Sequence, residues 1–470
     1  MLVVDFRTAL KAMVRHLSLK ACSSTLGALA LLLGNAAAAN PAQDLFDEAV
    51  YFLSLLYGGT AEVRPQELAP KFQAELDTAC AVKDEPCPFE AAWPVIDALV
   101  KALGDPHTNF YPGTTFEEIL SFLGAEGVTL QFGLVVRPIE GRVGLAVLEV
   151  LPDSPAAGAG LRRGDRILAL EGRYLFGPDR VAKLYEAQGR GEPTRMRLER
   201  VGERFSVTLK PRELSRKRLP SLTYLPKEAV GLLRIPSFLP AGEVASRLHA
   251  LVREAQSEGV RALVIDLRDN PGGHIRECLG GADAFVDGVS RKLVSNFAKE
   301  FLRVERGTLY VRRGEGREFA SRLTDDPARF DGPTVAIVNR YTGSCAEFFA
   351  LDLQEGGIPV VGEPTFGVAN TATTFVGLSG GSGLQISIAR ALREDGSLYP
   401  ERVEPNRVFD DDLETLIEGR DVLLEAALEL ISGRLENEMR ALPLLFPGDT
   451  GVSISGSLRS CDYTAQPPTN

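Results

Sequence analysis

The residues with the clearest chemical potential lie in segment 338–367, VNRYTGSCAEFFALDLQEGGIPVVGEPTFG. The short apolar run Thr334–Val338 predicts a buried strand, and residues 347–353 carry apolar side chains at helical spacing. Ser344 therefore lies where a helix begins. The N–H groups of a first helical turn lack helical partners, so an oxyanion could be held beside Ser344. Alternatively, Ser344 only caps the helix, with Glu347 completing a capping box.

A second segment has the features needed to complete such a site. Residues 262–273 read ALVIDLRDNPGG, an apolar strand that runs into a turn. Gly272 and Gly273 permit a close approach between this backbone and a ligand. We therefore expect two strand ends to converge beside Ser344.

Together the two segments resemble the core of the S41 serine peptidases, the family of C-terminal processing proteases and the tricorn protease. That family has a strand ending D-x-R-x-N-x-G-G, a strand ending S-x-S-A-S-E, and the string V-G-E-x-T-x-G. The second element here reads TGSCAE, which places Ser344 on the nucleophile and Glu347 on the terminal glutamate. The resemblance implies a ClpP/crotonase-like α/β core.

The chain departs from this pattern at the general base. Processing proteases have a lysine directly after the T-x-G string, where this chain has Val368. Serine needs a neighbouring base to become a good nucleophile. The tricorn branch uses histidine, and His107 in LGDPHTNFYP falls on that position, although Pro106 replaces the serine that precedes it in that branch. The alternative is that His107 is a polar loop residue beside a proline.

The resemblance implies a mechanism in which His107 takes the proton from Ser344. The oxyanion would be held by the N–H groups of Gly272 and Cys345, with Gly273 as an alternative to Gly272. The Cys345 thiol is a less favoured nucleophile, because the motif aligns serine with the attacking position.

A carboxylate usually orients a catalytic histidine. Tricorn-like members use a glutamate before a G-V-x-P-D string, and the matching stretch here is residues 395–406, DGSLYPERVEPN. This points to Glu401 first and Glu404 second, unless both are surface charges. Asp105 is a nearer carboxylate along the chain. His274 is a rival to His107 as the base.

Residues 121–214 change to short β-rich runs that resemble a PDZ domain, most specifically in SPAAGAGLRRGD. PDZ domains add a peptide as a strand and bind its terminal carboxylate with loop N–H groups. The match assigns peptide binding to Gln131, Phe132, Gly133 and Leu134. The alternative is a PDZ domain that only gates or packs against the core.

The predicted organisation is a multidomain α/β chain. It comprises a signal peptide (1–39), an N-terminal helical segment (40–120), the PDZ domain (121–214), the peptidase core (215–435) and a C-terminal tail (436–470). In the core, a helix near 244–255 precedes strand 262–267, and a helix separates the strands at 334–338 and 359–362. This alternation predicts a mostly parallel sheet with crossover helices. Residues 371–390 are expected to form antiparallel strands.

Composition is typical of a soluble enzyme. The 470 residues carry a net charge of −11, which argues against a nucleic-acid partner. Basic residues, the short apolar stretch 26–33 and an alanine run predict an exported bacterial protein, periplasmic or secreted, cleaved near Ala39 and without a stable membrane span. Cys80 and Cys87 could form a local disulfide or remain free thiols. We expect no metal and no cofactor, because the four histidines are scattered.

These features favour an exported serine endopeptidase that engages polypeptide substrates, through their C-terminal tails, by its PDZ domain. The competing hypothesis is a catalytically inactive, peptide-binding protein on a peptidase scaffold, and the missing lysine is its sequence support.

Overall fold

The computed structural model describes residues 40–81, 86–124, 127–225 and 229–441. The predicted signal peptide and residues 442–470 of the predicted tail lie outside these ranges. Within the described ranges, no helix combines the length and apolar composition required to cross a membrane.

The N-terminal segment is helical, as predicted from its amphipathic stretches. Its helices are α1 (Pro41–Leu56), α2 (Pro65–Cys80) and α3 (Phe89–Ala102). Their apolar faces pack together and against Leu384 and Ile386 of a core sheet. A short strand, β1 (Asn109–Tyr111), then joins that sheet, and α4 (Thr114–Gly124) follows. His107 lies two residues before β1, so the pairing of β1 with this sheet brings His107 to the core.

The PDZ region forms one antiparallel sheet of five strands in the order β3-β4-β5-β7-β8, with β6 on β5. The strand bounds are β2 (Val128–Gln131), β3 (Leu134–Pro138), β4 (Leu145–Val150), β5 (Arg166–Leu170), β6 (Arg173–Tyr174), β7 (Thr194–Arg200), β8 (Glu203–Leu209) and β9 (Arg212–Ser215). Two helices accompany them, α5 (Pro155–Gly158) and α6 (Arg180–Gly189). Strand β2 pairs with β9, and β3 lies at the edge of the sheet among the described strands.

The first core sheet is mostly parallel, as predicted. Its order is β10-β11-β12-β17-β18-β21, and only the β10–β11 pair is antiparallel. The strands are β10 (Ser221–Leu225), β11 (Val230–Arg234), β12 (Ala262–Asp266), β17 (Thr334–Val338), β18 (Val360–Gly362) and β21 (Arg407–Val408). The crossover helices are α7 (Val244–Ser257), α8 (Ile275–Ala282) and α9 (Cys345–Glu355), and α10 (Leu413–Ile417) and α11 (Val422–Ala441) follow the last strand.

The second core sheet is antiparallel and runs β1-β20-β13-β14-β15-β16, with β19 also on β20. Its core strands are β13 (Ser290–Ser295), β14 (Lys299–Glu305), β15 (Thr308–Arg313), β16 (Glu318–Arg322), β19 (Thr371–Gly377) and β20 (Gly383–Leu392). The β19–β20 hairpin confirms the antiparallel strands expected at residues 371–390, and a 3-10 turn at Ser379–Gly381 lies between them.

This topology brings the predicted site residues together. Strands β12 and β17 are parallel neighbours, so their carboxyl ends meet at one edge of the sheet. The glycine pair follows β12, and Ser344 follows β17. The second sheet adds His107 through β1, which pairs with β20.

Candidate active site

Ser344 occupies a sharp turn between β17 and α9. It is the N-cap of α9, with φ 55° and ψ −120°. A positive φ is costly for a residue that has a Cβ, and such strain is retained where the surrounding structure imposes it. Strand-to-helix turns of this kind present a nucleophilic serine above a sheet. Here the turn places Ser344 in the wall of a cavity of about 550 Å³.

Glu347 fixes this turn from inside the protein. Its buried carboxylate accepts the N–H of Ser344 (2.7 Å), the hydroxyl of Thr365 (2.6 Å) and the N–H groups of Gly367 (2.8 Å) and Val368 (3.1 Å). Burial raises the pKa of Glu347 to about 7, although these four hydrogen bonds oppose the rise. Glu347 therefore ties the serine turn to the loop in which the family pattern has its lysine.

The glycine pair lies against this turn. A Cβ at Gly272 would stand 2.7 Å from the backbone nitrogen of Cys345 and 2.8 Å from the Cβ of Ser344, so only glycine permits the contact. However, the Gly272 N–H donates to Oδ1 of Asn270 (2.9 Å). The expectation that Gly272 supplies an oxyanion donor is therefore not supported, because its N–H already has an acceptor.

The remaining donor candidates are Gly273 and Cys345, which line the cavity with Ser344. Cys345 is the first residue of α9. Its N–H forms no hydrogen bond within the described part of the chain, as is usual for a first helical turn. Gly273, the alternative to Gly272, is among the described residues that line the cavity, whereas Gly272 is not.

His107 is buried and lines the same cavity as Ser344. Its Nδ1 atom lies 2.8 Å from the hydroxyl of Thr371. Burial lowers the pKa of His107 to about 4, although the charge of Asp105 opposes this, so the ring is neutral near pH 7. Among the described contacts, no hydrogen bond joins His107 to Ser344, and a looser distance is common for catalytic pairs without substrate.

The carboxylates proposed from the sequence do not orient the ring of His107. Glu401 and Glu404 are exposed, and the contact of Glu401 with the core is its backbone carbonyl, which accepts the N–H of Ala369 (2.6 Å). Asp105 instead accepts the backbone N–H of His107 (2.9 Å), which fixes the loop and not the imidazole. The described contacts therefore give the side chain of Glu401 no partner at the ring of His107, although Tyr399 and Val403 of the same segment are buried in the core.

Thr371 is the hydrogen-bond partner of the His107 ring, a contact that was not predicted from the sequence. It is the first residue of β19, which pairs with β20, and β20 in turn pairs with β1 beside His107. No motif marks a lone threonine, so only the strand pairing reveals this contact. His274 is the N-cap of α8 and is not among the described residues that line the cavity, which disfavours it as the base.

The cavity is mainly apolar. Asp269 is the only residue with a carboxylate or cationic side chain among its described lining. Arg137 from the PDZ strand β3 forms an ion pair with Asp269 and also lies over the ring of Tyr341, at 4.2 Å. The apolar walls come from the N-terminal segment, α4 and the core, and include Tyr111, Phe122, Leu239, Phe348, Phe366, Val368 and Phe375.

Two disulfides occur among the described residues. Cys80 and Cys87 are bonded, which confirms the disulfide reading of that pair. Cys345 is bonded to Cys278 of α8, a pairing that the sequence analysis did not propose. Because its sulfur is in this bond, Cys345 is not a thiol nucleophile in this structure.

The predicted peptide-binding residues lie around the start of the PDZ edge strand. Gln131 ends β2, and Leu134 begins β3. Gly133 has φ 83°, and a Cβ there would lie 2.1 Å from the Cβ of Ser154. The N–H of the buried Phe132 donates to Oε1 of Gln188 (2.9 Å), at the end of α6. One expected carboxylate-binding N–H is therefore occupied by a side chain of the same domain.

Comparisons with known proteins agree with this architecture. Residues 229–409 match peptidase family S41, and residues 147–200 match the PDZ domain. The chain is 24% identical to the carboxy-terminal processing protease CtpB of Bacillus subtilis, over 66% of this chain and 61% of that protein. It is 26% identical to the chloroplastic carboxyl-terminal-processing peptidase 3 of Arabidopsis thaliana, over 64% of this chain and 57% of that protein.

The chain thus spans about three fifths of the length of these curated relatives. A crystal structure described as a putative S41 protease from Bacteroides fragilis shares the fold, with a TM-score of 0.51 and 18% identity over 72% of this chain and 90% of that one. The strand order, the serine turn and both sequence matches lead to one conclusion: residues 229–409 form a region of the peptidase family S41 type, and residues 147–200 belong to a PDZ domain.

Proposed function

We propose that the chain is a serine endopeptidase that hydrolyses peptide bonds in polypeptides by a serine–histidine mechanism. The observation that carries this proposal is that one cavity contains both Ser344, on its strained turn, and the buried, neutral His107. A neutral imidazole accepts a proton, and a serine hydroxyl requires such a base.

Thr371 sets the tautomer of the His107 ring in this mechanism. With the ring hydrogen on Nδ1 donated to the Thr371 hydroxyl, the lone pair on Nε2 is left to accept the proton of Ser344. The Ser344 oxygen then attacks the substrate carbonyl carbon. His107 returns the proton to the amine that leaves, and a water molecule repeats the sequence to release the acid.

The N–H groups of Cys345 and Gly273 are the proposed oxyanion donors. Both residues line the cavity beside Ser344, and the first turn of α9 adds its partial positive charge. Donors that are fixed before the reaction stabilise the developing charge without reorganisation. The close packing of Gly272 on Cys345 keeps the two strand ends in this arrangement.

The PDZ domain is proposed to engage the substrate polypeptide at the β3 edge, next to Gln131, Phe132, Gly133 and Leu134. An edge strand can accept a peptide as an additional strand. The Arg137–Asp269 ion pair places this domain against the loop that leads to Gly273. A substrate whose tail is held at β3 would thus place an apolar segment of the same polypeptide in the cavity.

We further propose that the protein acts outside the cytoplasm. The predicted signal peptide supports this location, and so do the two disulfides, because such bonds persist mainly in oxidising compartments.

Active-site labelling with a fluorophosphonate tests the proposed activity. We expect labelling and peptide hydrolysis by the wild type, neither by Ser344→Ala, and a large loss in His107→Ala. His274→Ala is the matched control, because it removes a histidine from outside the described cavity wall. If His274→Ala abolishes hydrolysis and His107→Ala does not, the assignment of the base is wrong.

A non-catalytic peptide-binding protein is the second candidate function. Val368 in place of the lysine favours it, and so does the absence, among the described contacts, of a hydrogen bond between Ser344 and His107. Folded protein that binds peptides but neither hydrolyses them nor reacts with the fluorophosphonate would establish this candidate.

A further inference from the structure

A disulfide bond joins the two sides of the candidate oxyanion hole. Cys345 directly follows Ser344 and begins α9, whereas Cys278 lies in α8, the helix that begins shortly after Gly273. Their Cα atoms are 5.9 Å apart. The bond therefore connects the element that carries the nucleophile to the element that follows the glycine pair.

The bond is covered by the core but borders the cavity on one side. Cys278 is fully buried and Cys345 is 3% exposed. Cys345 nevertheless lines the cavity together with Gly273 and Ser344. A small reagent that enters the cavity would thus contact Cys345, one residue of the disulfide.

The geometry at Ser344 depends on restraints from both sides. Its positive φ needs neighbours that hold it. Glu347 restrains the turn through the Ser344 N–H, and the disulfide restrains the next residue, Cys345. The Cys345 nitrogen also packs closely on Gly272, where a Cβ would stand 2.7 Å from it. A displacement of Cys345 would therefore move its N–H relative to the glycine pair.

We propose that the Cys278–Cys345 disulfide is a redox-sensitive positioning bond, which holds the Cys345 N–H in place for the oxyanion, and that its reduction by a dithiol lowers turnover. Cys278 is then a positioning residue that acts through Cys345. The inference rests on the proposed peptidase function, and it makes full activity a property of an oxidising compartment.

The chemistry is thiol–disulfide exchange. One thiolate of the dithiol attacks the sulfur of Cys345, the S–S bond breaks, and Cys278 leaves as a thiolate that takes up a proton. The second thiolate of the reagent attacks the mixed disulfide and releases Cys345, which also takes up a proton. The reagent leaves as a cyclic disulfide after transferring two electrons, and a small-molecule disulfide reverses both steps.

The expected signature is a lower kcat with little change in KM. An oxyanion donor acts mainly in the transition state, so its displacement leaves substrate binding nearly intact. Removal of one such donor costs about 10²–10³ in kcat. A displaced donor should cost less, so we expect a loss of about tenfold or more on reduction.

The test uses the full chain, purified without reductant and then incubated with dithiothreitol. Kinetics with a fluorogenic apolar peptide give kcat and KM, and alkylation followed by peptide mass spectrometry gives the redox state of each cysteine. A variant with Cys80→Ser and Cys87→Ser is the matched control, because it removes the other described disulfide. Cys278→Ala should show the low kcat with or without dithiothreitol.

The inference is supported if kcat falls as Cys278 and Cys345 become alkylated, in wild type and control alike, and returns on reoxidation. It is overturned if the pair is fully alkylated and kcat is unchanged, or if the two thiols are already free in the purified protein. Absence of hydrolysis and of fluorophosphonate labelling in both redox states counts against the proposed function and this inference together. Redox-independent activity counts against this inference alone.

Discussion

The Nδ1 atom of His107 and the hydroxyl of Thr371 lie 2.8 Å apart, although 264 residues separate them in the chain. Both residues are buried, so water does not replace this contact. Where a serine peptidase triad has a carboxylate, this site has a neutral hydroxyl. The hydroxyl can set the tautomer of the ring, but it supplies no negative charge to stabilise an imidazolium.

Replacing Thr371 with valine should therefore lower kcat while the protein remains folded. Valine has nearly the same shape as threonine but no hydroxyl. The Nδ1 atom of His107 would therefore lose its hydrogen-bond partner, and the tautomer of the ring would no longer be fixed. Loss of one buried hydrogen bond of about 1–1.5 kcal/mol corresponds to about a tenfold effect. Thr371→Ser, which keeps the hydroxyl, is the control and should retain most activity. Equal kinetics for valine and serine would show that Thr371 does not position His107.

The buried state of His107 predicts an acid-shifted pH profile. Its pKa is lowered to about 4, so the ring stays neutral and able to accept a proton well below pH 6.5. We expect the acid limb of kcat/KM near pH 4–5 instead of near 6.5, measured with buffers of constant ionic strength. A limb at pH 6.5 in folded protein would contradict the assignment, unless that limb follows the titration of Glu347, whose pKa is raised to about 7.

The same shift predicts the direction of one stability effect. The folded pKa of His107 is below its unfolded value, so the unfolded chain takes up protons first. The free energy of unfolding should therefore fall as pH drops from about 6.5 towards 4. His107→Gln should reduce this slope in denaturant titrations performed across that range, and an unchanged slope would contradict a buried neutral histidine.

The sequence alone predicted those parts of the candidate site that depend on short stretches of the chain. Ser344 and the glycine pair follow apolar strands whose parallel pairing follows from the strand–helix alternation. Close backbone contact requires glycine, which is why the strand end could be recognised without a structure. The choice between Gly272 and Gly273 could not be made, because it depends on the Asn270 side chain accepting the Gly272 N–H.

Contacts between distant segments could not be predicted. The contacts of Thr371 and Gln188 and the Cys278–Cys345 bond join residues that are 264, 56 and 67 positions apart, and no motif in the sequence marks these pairings. Glu401 was chosen by its position in an imperfect match, and its own side chain is exposed although Tyr399 and Val403 of the same segment are buried. Tertiary packing decided these contacts.

Glu347 offers a fourth test, because all four of its hydrogen-bond partners are donors. In Glu347→Gln, the amide NH₂ group would face hydrogen-bond donors on one side of the side chain. Each donor left without an acceptor would cost about 1–3 kcal/mol of stability. We expect a lower melting temperature and loss of activity, since the Ser344 turn and the Val368 loop would separate. Thr365→Val is the control. It removes one of the four donors, together with the acceptor of the Val403 N–H (2.8 Å), and should show a smaller loss of stability. If Glu347→Gln keeps wild-type stability, the carboxylate does not hold the turn.

The PDZ domain gives a prediction that does not depend on catalysis. Gln188 accepts the Phe132 N–H, which is one of the groups expected to bind a peptide carboxylate. Gln188→Ala would free this N–H, so a peptide with a free C-terminal carboxylate should bind about three- to tenfold more tightly, consistent with a hydrogen bond of about 1 kcal/mol. The same peptide with an amidated terminus should show no gain.

Gln188→Glu is the matched opposite variant, since it keeps an acceptor beside Phe132 and adds a negative charge that repels the terminal carboxylate. We expect weaker binding than in the wild type. Calorimetry in a Ser344→Ala background would measure binding without hydrolysis. If alanine and glutamate variants bind the carboxylate peptide equally, the Phe132 loop does not receive the peptide terminus, and the β3 edge is not the site at which tails are recognised.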